Sequence, residues 1–209
     1  MITISSPIHA LHAPLREASF FLGERVPCAK SPSRLDFVLA ELTARGHEIL
    51  ALGTDSMNAL LKVHSVPYLT FLQTAWQQWL TVSPGNAGLQ PFSSVWPVRT
   101  LRHDVEPNNF IAKLGLYSMD NGTPLVAGTW DAAKADADTA ATAAVWVSRG
   151  EHSGFCAIRP PVIMPVQTLL VVITFLTMLR LQQKICWQVG ASESQLWMST
   201  ELAPVGRTS

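Results

Sequence analysis

Nineteen consecutive residues, Pro161 to Leu179 (PVIMPVQTLLVVITFLTML), carry no charge, and any fold for this chain must accommodate them. A stretch of that length nearly spans the hydrocarbon core of a bilayer. Against a membrane span, Pro165 and Gln167 sit near its start. The run also follows directly on SGFCAIRPP, which reads as a short buried strand ending in an Arg-Pro-Pro corner. Three readings compete: a membrane-anchored protein, a core helix, and a segment foreign to the fold before it. The preceding residues decide among them.

Those residues alternate strand and helix. MITISS suits an opening strand. Leu35, Val38, Leu39 and Leu42 recur at helical spacing after Ser31-Pro32-Ser33, an N-cap followed by proline in the first turn, and Gly46 supplies the stop. HEILAL is a buried-strand candidate, and DSMNALLKV is a short helix. PYLTFLQTAWQQWL is a longer helix whose Tyr68, Phe71, Leu72, Ala75, Trp76 and Trp79 share one face. Residues 82–110, punctuated by proline and glycine, read as a long irregular loop, a length usually tied to function or disorder. TWDAAKADADTAATAAVWV is an alanine-rich helix leading to the SGFCAIRPP strand. This alternation implies an α/β fold with a parallel sheet.

Composition excludes several classes. Formal net charge is zero, so nothing favours a nucleic-acid or acidic-membrane partner. The three cysteines, Cys28, Cys156 and Cys186, have neither metal-site nor disulfide-framework spacing, which suits a reducing cytoplasm. The first residues lack a basic stretch followed by an apolar one, so no signal peptide is expected. The histidines, His9, His12, His47, His64, His103 and His152, share no metal-binding spacing and read as structural or surface groups.

With these elements placed, a family resemblance becomes visible. SGFCAIRPP resembles the histone deacetylase superfamily strand that leads into Arg-Pro-Pro-Gly-His-His-Ala. LLKVHSVPYLTFLQTAWQQW (60–79), SSVWPVRT (93–100) and KLGLYSMDNGTPLVAGTWDAA (113–133) resemble the bacterial acetylpolyamine amidohydrolases and their deacetylase-like relatives. SPSRLDFVLAEL resembles the first helix, with Arg34 at its Pro-x-Arg position. The resemblance covers residues 1–161 and implies the N-terminal part of an arginase/deacetylase-type three-layer fold, left incomplete. Residues 162–209 lack it.

It stops inside a motif. Where the family has Gly-His-His-Ala, this chain has Val162-Ile163-Met164-Pro165. Restoring one G after the codon of Pro161 tests whether the reading frame has slipped. The genetic code then forces glycine at Val162, alanine at Pro165 and aspartate at Met198. Ile163 and Met164 can both become histidine, and the restored run ends in an Ile-Val-Asp-Val-Asp strand typical of the family core. Past residue 200 the restored frame no longer follows the family, which implies a second change. On this reading the apolar run is the out-of-frame shadow of a catalytic segment, not a selected membrane span.

The resemblance implies a zinc-dependent amidohydrolase acting on acetylated polyamines or acetyl-lysine-like amines. In such enzymes Zn²⁺ held by two aspartates and a histidine lowers the pKa of an attacking water, and the histidine pair handles protons. Carried over, the histidine pair falls at Ile163 and Met164. The metal ligands fall at Thr200, at Leu202 and beyond the C-terminus. The chain as written is therefore expected to be a catalytically inactive remnant that binds no zinc. The substrate-side residues implied are Arg34, Trp96, Glu106 and Tyr117, with Asp104 as an alternative acid. For each of these, packing or a solvated charge is an equally good reading of the residue itself. The 82–110 loop corresponds to the insertion through which relatives form a homodimer.

Overall fold

A computed structural model describes residues 1–13, 18–21, 24–27, 31–95, 105–118 and 124–159. The expected α/β architecture is present. Strand β1 (Ile2–Ser5) lies between β4 (Ile49–Leu50) and β5 (Gly154–Ala157), and both pairings are parallel. The register sets Thr3 opposite Ile49 and Phe155, and Ile4 opposite Leu50 and Cys156. Ile4 and Thr3 are fully buried, as expected of a strand paired on both edges. A second sheet, the antiparallel pair β2 (Ala18–Phe21) and β3 (Glu24–Pro27), was not anticipated in the sequence.

Helix α5 (Thr129–Ser148) packs over β1 and β5. Alanine favours helix and fills little volume, so an alanine-lined helix can lie close to a sheet. The approach is tight enough that a Cβ on Gly154 would stand 3.2 Å from the Ala143 methyl. Where α5 carries polar side chains, they bind backbone. Thr142 Oγ1 accepts the N–H groups of Gly53 (3.2 Å) and Thr54 (3.1 Å), and Asp138 Oδ1 accepts that of Ser56 (2.8 Å). These bonds pin the chain after β4, whose donors have no strand partner there. Lys134 bridges Asp138 (2.6 Å) and Asp55 on the same side.

The apolar core forms where α3 (Val66–Val82) meets α4 (Phe110–Leu116) and α5. Ser65 caps α3 by accepting the Tyr68 N–H at 3.4 Å, and proline occupies its first turn. The expected face is largely observed: Tyr68, Phe71, Leu72 and Ala75 are buried together with Leu69, while Trp76 and Trp79 are half-buried. The Phe71 ring meets Tyr117 at 4.8 Å and Phe110 at 6.1 Å, distances at which aromatic pairs add to area burial.

Two expectations need correction. In α1 (Ser33–Ala44) only Leu35 of the proposed stripe is buried; Val38 is exposed, and Leu39 and Leu42 are intermediate. No side chain caps this helix: Pro32 occupies the cap position, and Ser31 Oγ lies 2.6 Å from Ser33 Oγ instead. The described parts of the 82–110 stretch, residues 82–95 and 105–110, also contain ordered elements. A 3-10 turn spans Pro84–Gly88 and locks onto α3, with Asn86 Nδ2 donating to the Trp79 carbonyl (2.9 Å) and Trp79 Nε1 donating to the Asn86 carbonyl (3.2 Å). Helix α4 starts at Phe110, where Asn109 Oδ1 accepts from Ile111 (2.9 Å) and Ala112 (3.3 Å). Among the described residues, no helix is long and apolar enough to cross a membrane, and the run 161–179 lies outside them.

Candidate functional site

In open parallel sheets, ligands gather beyond the carboxyl ends of the strands. Here β1 leaves its carboxyl end through Ser6 into a 3-10 turn, Pro7–Leu11, with Ser6 Oγ accepting the Ile8 N–H at 3.3 Å. Its neighbour β5 leaves through Ile158 to Arg159. The N-terminal half of α5 closes over both. The approach requires Gly128, because a Cβ there would fall 2.6 Å from the Leu11 carbonyl oxygen.

This corner contains a buried polar group. His9 and Thr129 are each 3 % exposed, Asp136 and Arg159 each 4 %, and His12 6 %. The Arg159 guanidinium donates to the His12 carbonyl. Its own backbone N–H donates to the Asp136 carboxylate. His12 Nδ1 shares a hydrogen bond with Thr129 Oγ1 at 3.0 Å, and that hydroxyl also accepts the Val126 N–H at 2.8 Å. One arginine and one carboxylate thus tie together the strand end, the turn after β1 and α5.

The charges are tuned by burial. Desolvation pushes the Asp136 carboxyl well above the usual carboxylate range, with the Arg159 backbone bond and charge opposing it. His9 is held below its ordinary value, first by burial and then by the Arg159 cation, while Asp36 acts the other way. Its Nδ1 is buried without a hydrogen-bond partner among the described residues. A neutral ring accords with that setting, since a charged one would face the guanidinium in a dry environment.

The expected substrate-side residues separate. Glu106 and Tyr117 come together: the Tyr117 hydroxyl is pushed up to about 12, first by burial and then by the charge and hydrogen bond of Glu106. Lys113 Nζ lies 3.0 Å from the same carboxylate. Arg34 instead lies exposed on α1, an element that packs against β5. Trp96 and Asp104 lie outside the described residues, as do Ile163, Met164, Thr200 and Leu202. His64 caps the end of α2 (Met57–Val63) and is buried against Tyr68, with ring centres 5.5 Å apart, as a structural histidine would be. The Cys156 thiol lies 4.0 Å from the Thr139 carbonyl oxygen of α5.

Among the described residues, no three His, Cys, Asp or Glu side chains are grouped to hold a metal. The polar corner does not supply such a donor set either. His12 Nδ1 is engaged by Thr129, and the carboxylate beside it faces an arginine. These residues do not fit a zinc ion. The sequence reading missed the corner because His9 and His12 show no ligand spacing. Asp136 had left a signal, since it is one helical turn from both Ala132 and Ala140, a carboxylate on an alanine-rich face.

No family model matches the chain. Individual proteins do. It is 38% identical over 162 residues to acetylpolyamine amidohydrolase 2 of Pseudomonas aeruginosa, a match covering 77% of this chain and 45% of that one. To acetylpolyamine amidohydrolase 1 of the same organism it is 36% identical over 163 residues, covering 77% and 46%. The chain thus spans about half the length of the curated relatives it matches. The crystal structure of an acetylpolyamine aminohydrolase from Burkholderia pseudomallei superposes with a TM-score of 0.77 at 22% identity, over 88% of this chain and 53% of that one. The HDA15 HD domain superposes with a TM-score of 0.61 at 15% identity, over 91% and 44%.

Proposed function

The chain belongs to the histone deacetylase superfamily, and from that premise we propose that it carries the N-terminal wall of a zinc-dependent deacetylase for acetylated polyamines, without the zinc chemistry. The observation that carries this reading is the 38% identity to an acetylpolyamine amidohydrolase over 162 residues, set against the motif that breaks at Val162. Residues 1–161 are assigned to the deacetylase domain and residues 162–209 to an out-of-frame tail. Ile163, Met164 and Leu202 have side chains with no group that binds a proton or a hard metal ion, and the hydroxyl of Thr200 is a poor substitute for a carboxylate. No hydrolytic step is assigned to the chain.

Its own residues account for the wall. The Arg159–Asp136 contact fixes the corner from which the catalytic segment of an intact relative would depart. On the substrate side, Glu106 is the acidic group for an ammonium-bearing substrate, with Tyr117 and Trp96 as the aromatic lining. Lys113 competes for Glu106, so any cation must displace or share it. A reducing cytoplasm is the proposed location, one that suits the scattered positions of Cys28, Cys156 and Cys186.

The experiment is a comparison of the purified chain with a version whose gene carries one additional G after codon 161. Bound zinc and acetate release from an acetylated diamine are measured for both. The chain as written is expected to bind no stoichiometric zinc and to release no acetate. Zinc-dependent turnover by the unaltered chain would overturn the inactivity.

A further inference from the structure

Two donors converge on one carboxylate beside α4. The Tyr117 hydroxyl donates to Glu106, and Lys113 Nζ lies 3.0 Å from Glu106 Oε1. Lys113 and Tyr117 are one helical turn apart, the Tyr117 N–H donating to the Lys113 carbonyl at 3.0 Å, so their side chains leave the same face. The two donors differ in freedom. Tyr117 is wedged against Phe71 and Tyr68, with ring centres 4.8 and 5.6 Å away, which fixes its hydroxyl. Lys113 hangs on a flexible four-carbon stem. The pair also keeps a path to solvent, since the Lys113 side chain is 22% exposed and that of Glu106 36%.

The lysine side chain is chemically an aminobutyl group, the same as the free end of a 1,4-diamine acylated at its other nitrogen. Glu106 therefore already holds the cation that such a molecule would present, delivered by the chain itself. Resting on the reading of Glu106 as the acidic group for an ammonium-bearing substrate, we propose that Lys113 is an internal ligand of this site. Its aminobutyl arm fills the cation position and must swing out before the ammonium of a diamine can enter. A tethered cation competes at a fixed effective concentration. Only molecules with the arm withdrawn bind the amine, and the apparent affinity falls by that fraction. A ligand whose end carries no charge gains nothing from removal of the arm.

The purified chain is titrated with N-(4-aminobutyl)acetamide, and with N-butylacetamide as the uncharged control, by following the acetyl methyl resonance in NMR spectra. Lys113→Met is expected to tighten binding of the amine about two- to fivefold, the range of a partly exposed ion pair, and to leave the control unchanged. Lys113→Arg retains a cation and should bind no more tightly than the parent. In the Lys113→Met/Glu106→Gln chain the gain should disappear. Lys113→Gln carries the same expectation and replaces the methionine variant if that one loses its helical circular dichroism. Equal affinity of the parent and the uncharged variants, with weaker binding by Glu106→Gln, overturns the internal ligand while leaving Glu106 as the acidic group. No preference of any variant for the amine over the control overturns both.

Discussion

Replacing Asp136 by alanine tests the buried corner most severely. The change removes the carboxyl group that accepts the Arg159 backbone N–H and leaves that buried donor without its acceptor, beside a guanidinium that is 4 % exposed. Leaving a buried donor unsatisfied costs about 1–3 kcal/mol. For a domain of this size each kcal/mol corresponds to about 2–4 °C in Tm, so the expected loss is about 2–12 °C. Asp136→Asn retains an acceptor for the N–H and should lose less. Arg159→Met in the Asp136→Ala background removes the stranded cation and should recover part of the loss. The measurement is chemical denaturation of the parent, Asp136→Ala, Arg159→Met and the double variant, analysed as a double-mutant cycle, with Asp136→Asn alongside. Strictly additive single losses, or an Asp136→Ala cost below about 1 kcal/mol, would refute the claim that this pair holds the corner.

Other outcomes follow from the same geometry. His9 is held below its ordinary value, so the folded state takes up a proton less readily than the unfolded one. Its contribution is fully present above pH 6.5 and declines as pH falls below it, and His9→Gln should flatten the acid limb of a Tm-against-pH profile. Asp136 is shifted upward and has the opposite sign: its contribution is largest at the acid end and declines as pH rises above 3.8, a slope that Asp136→Asn removes. Thr142→Val strands the N–H groups of Gly53 and Thr54 and should cost about 1–3 kcal/mol in urea unfolding, whereas Thr142→Ser should cost little. Gly128→Ala drives a methyl into the Leu11 carbonyl and should cost about 1–3 kcal/mol or more by the same assay.

Much of the fold was legible because its long elements have long periods. The α3 face emerges from six apolar positions at helical spacing, and β1 and β5 from short apolar runs bounded by polar residues. The hairpin β2–β3 escaped because each strand has four residues, too few to establish an alternation. Helix α4 was concealed inside a proline- and glycine-rich stretch; Asn109, a strong cap residue, was the available sign. On α1, periodicity located a helix but assigned its inner face too generously. Spacing reports which residues share a face, while burial depends on what arrives to cover it, and here only Leu35 is deeply covered. The polar corner lay deeper still. Its members come from positions 9, 12, 129, 136 and 159, and the parallel sheet, not local spacing, brings them together.

The central claim is that the chain leaves its family's reading frame directly after Pro161. Determining the genomic DNA sequence across codons 160–205, with independent reads on both strands, tests it most directly. The expected result is one additional G after codon 161, turning Val162, Ile163, Met164 and Pro165 into Gly-His-His-Ala. Confirmation of the present frame in every read would contradict it.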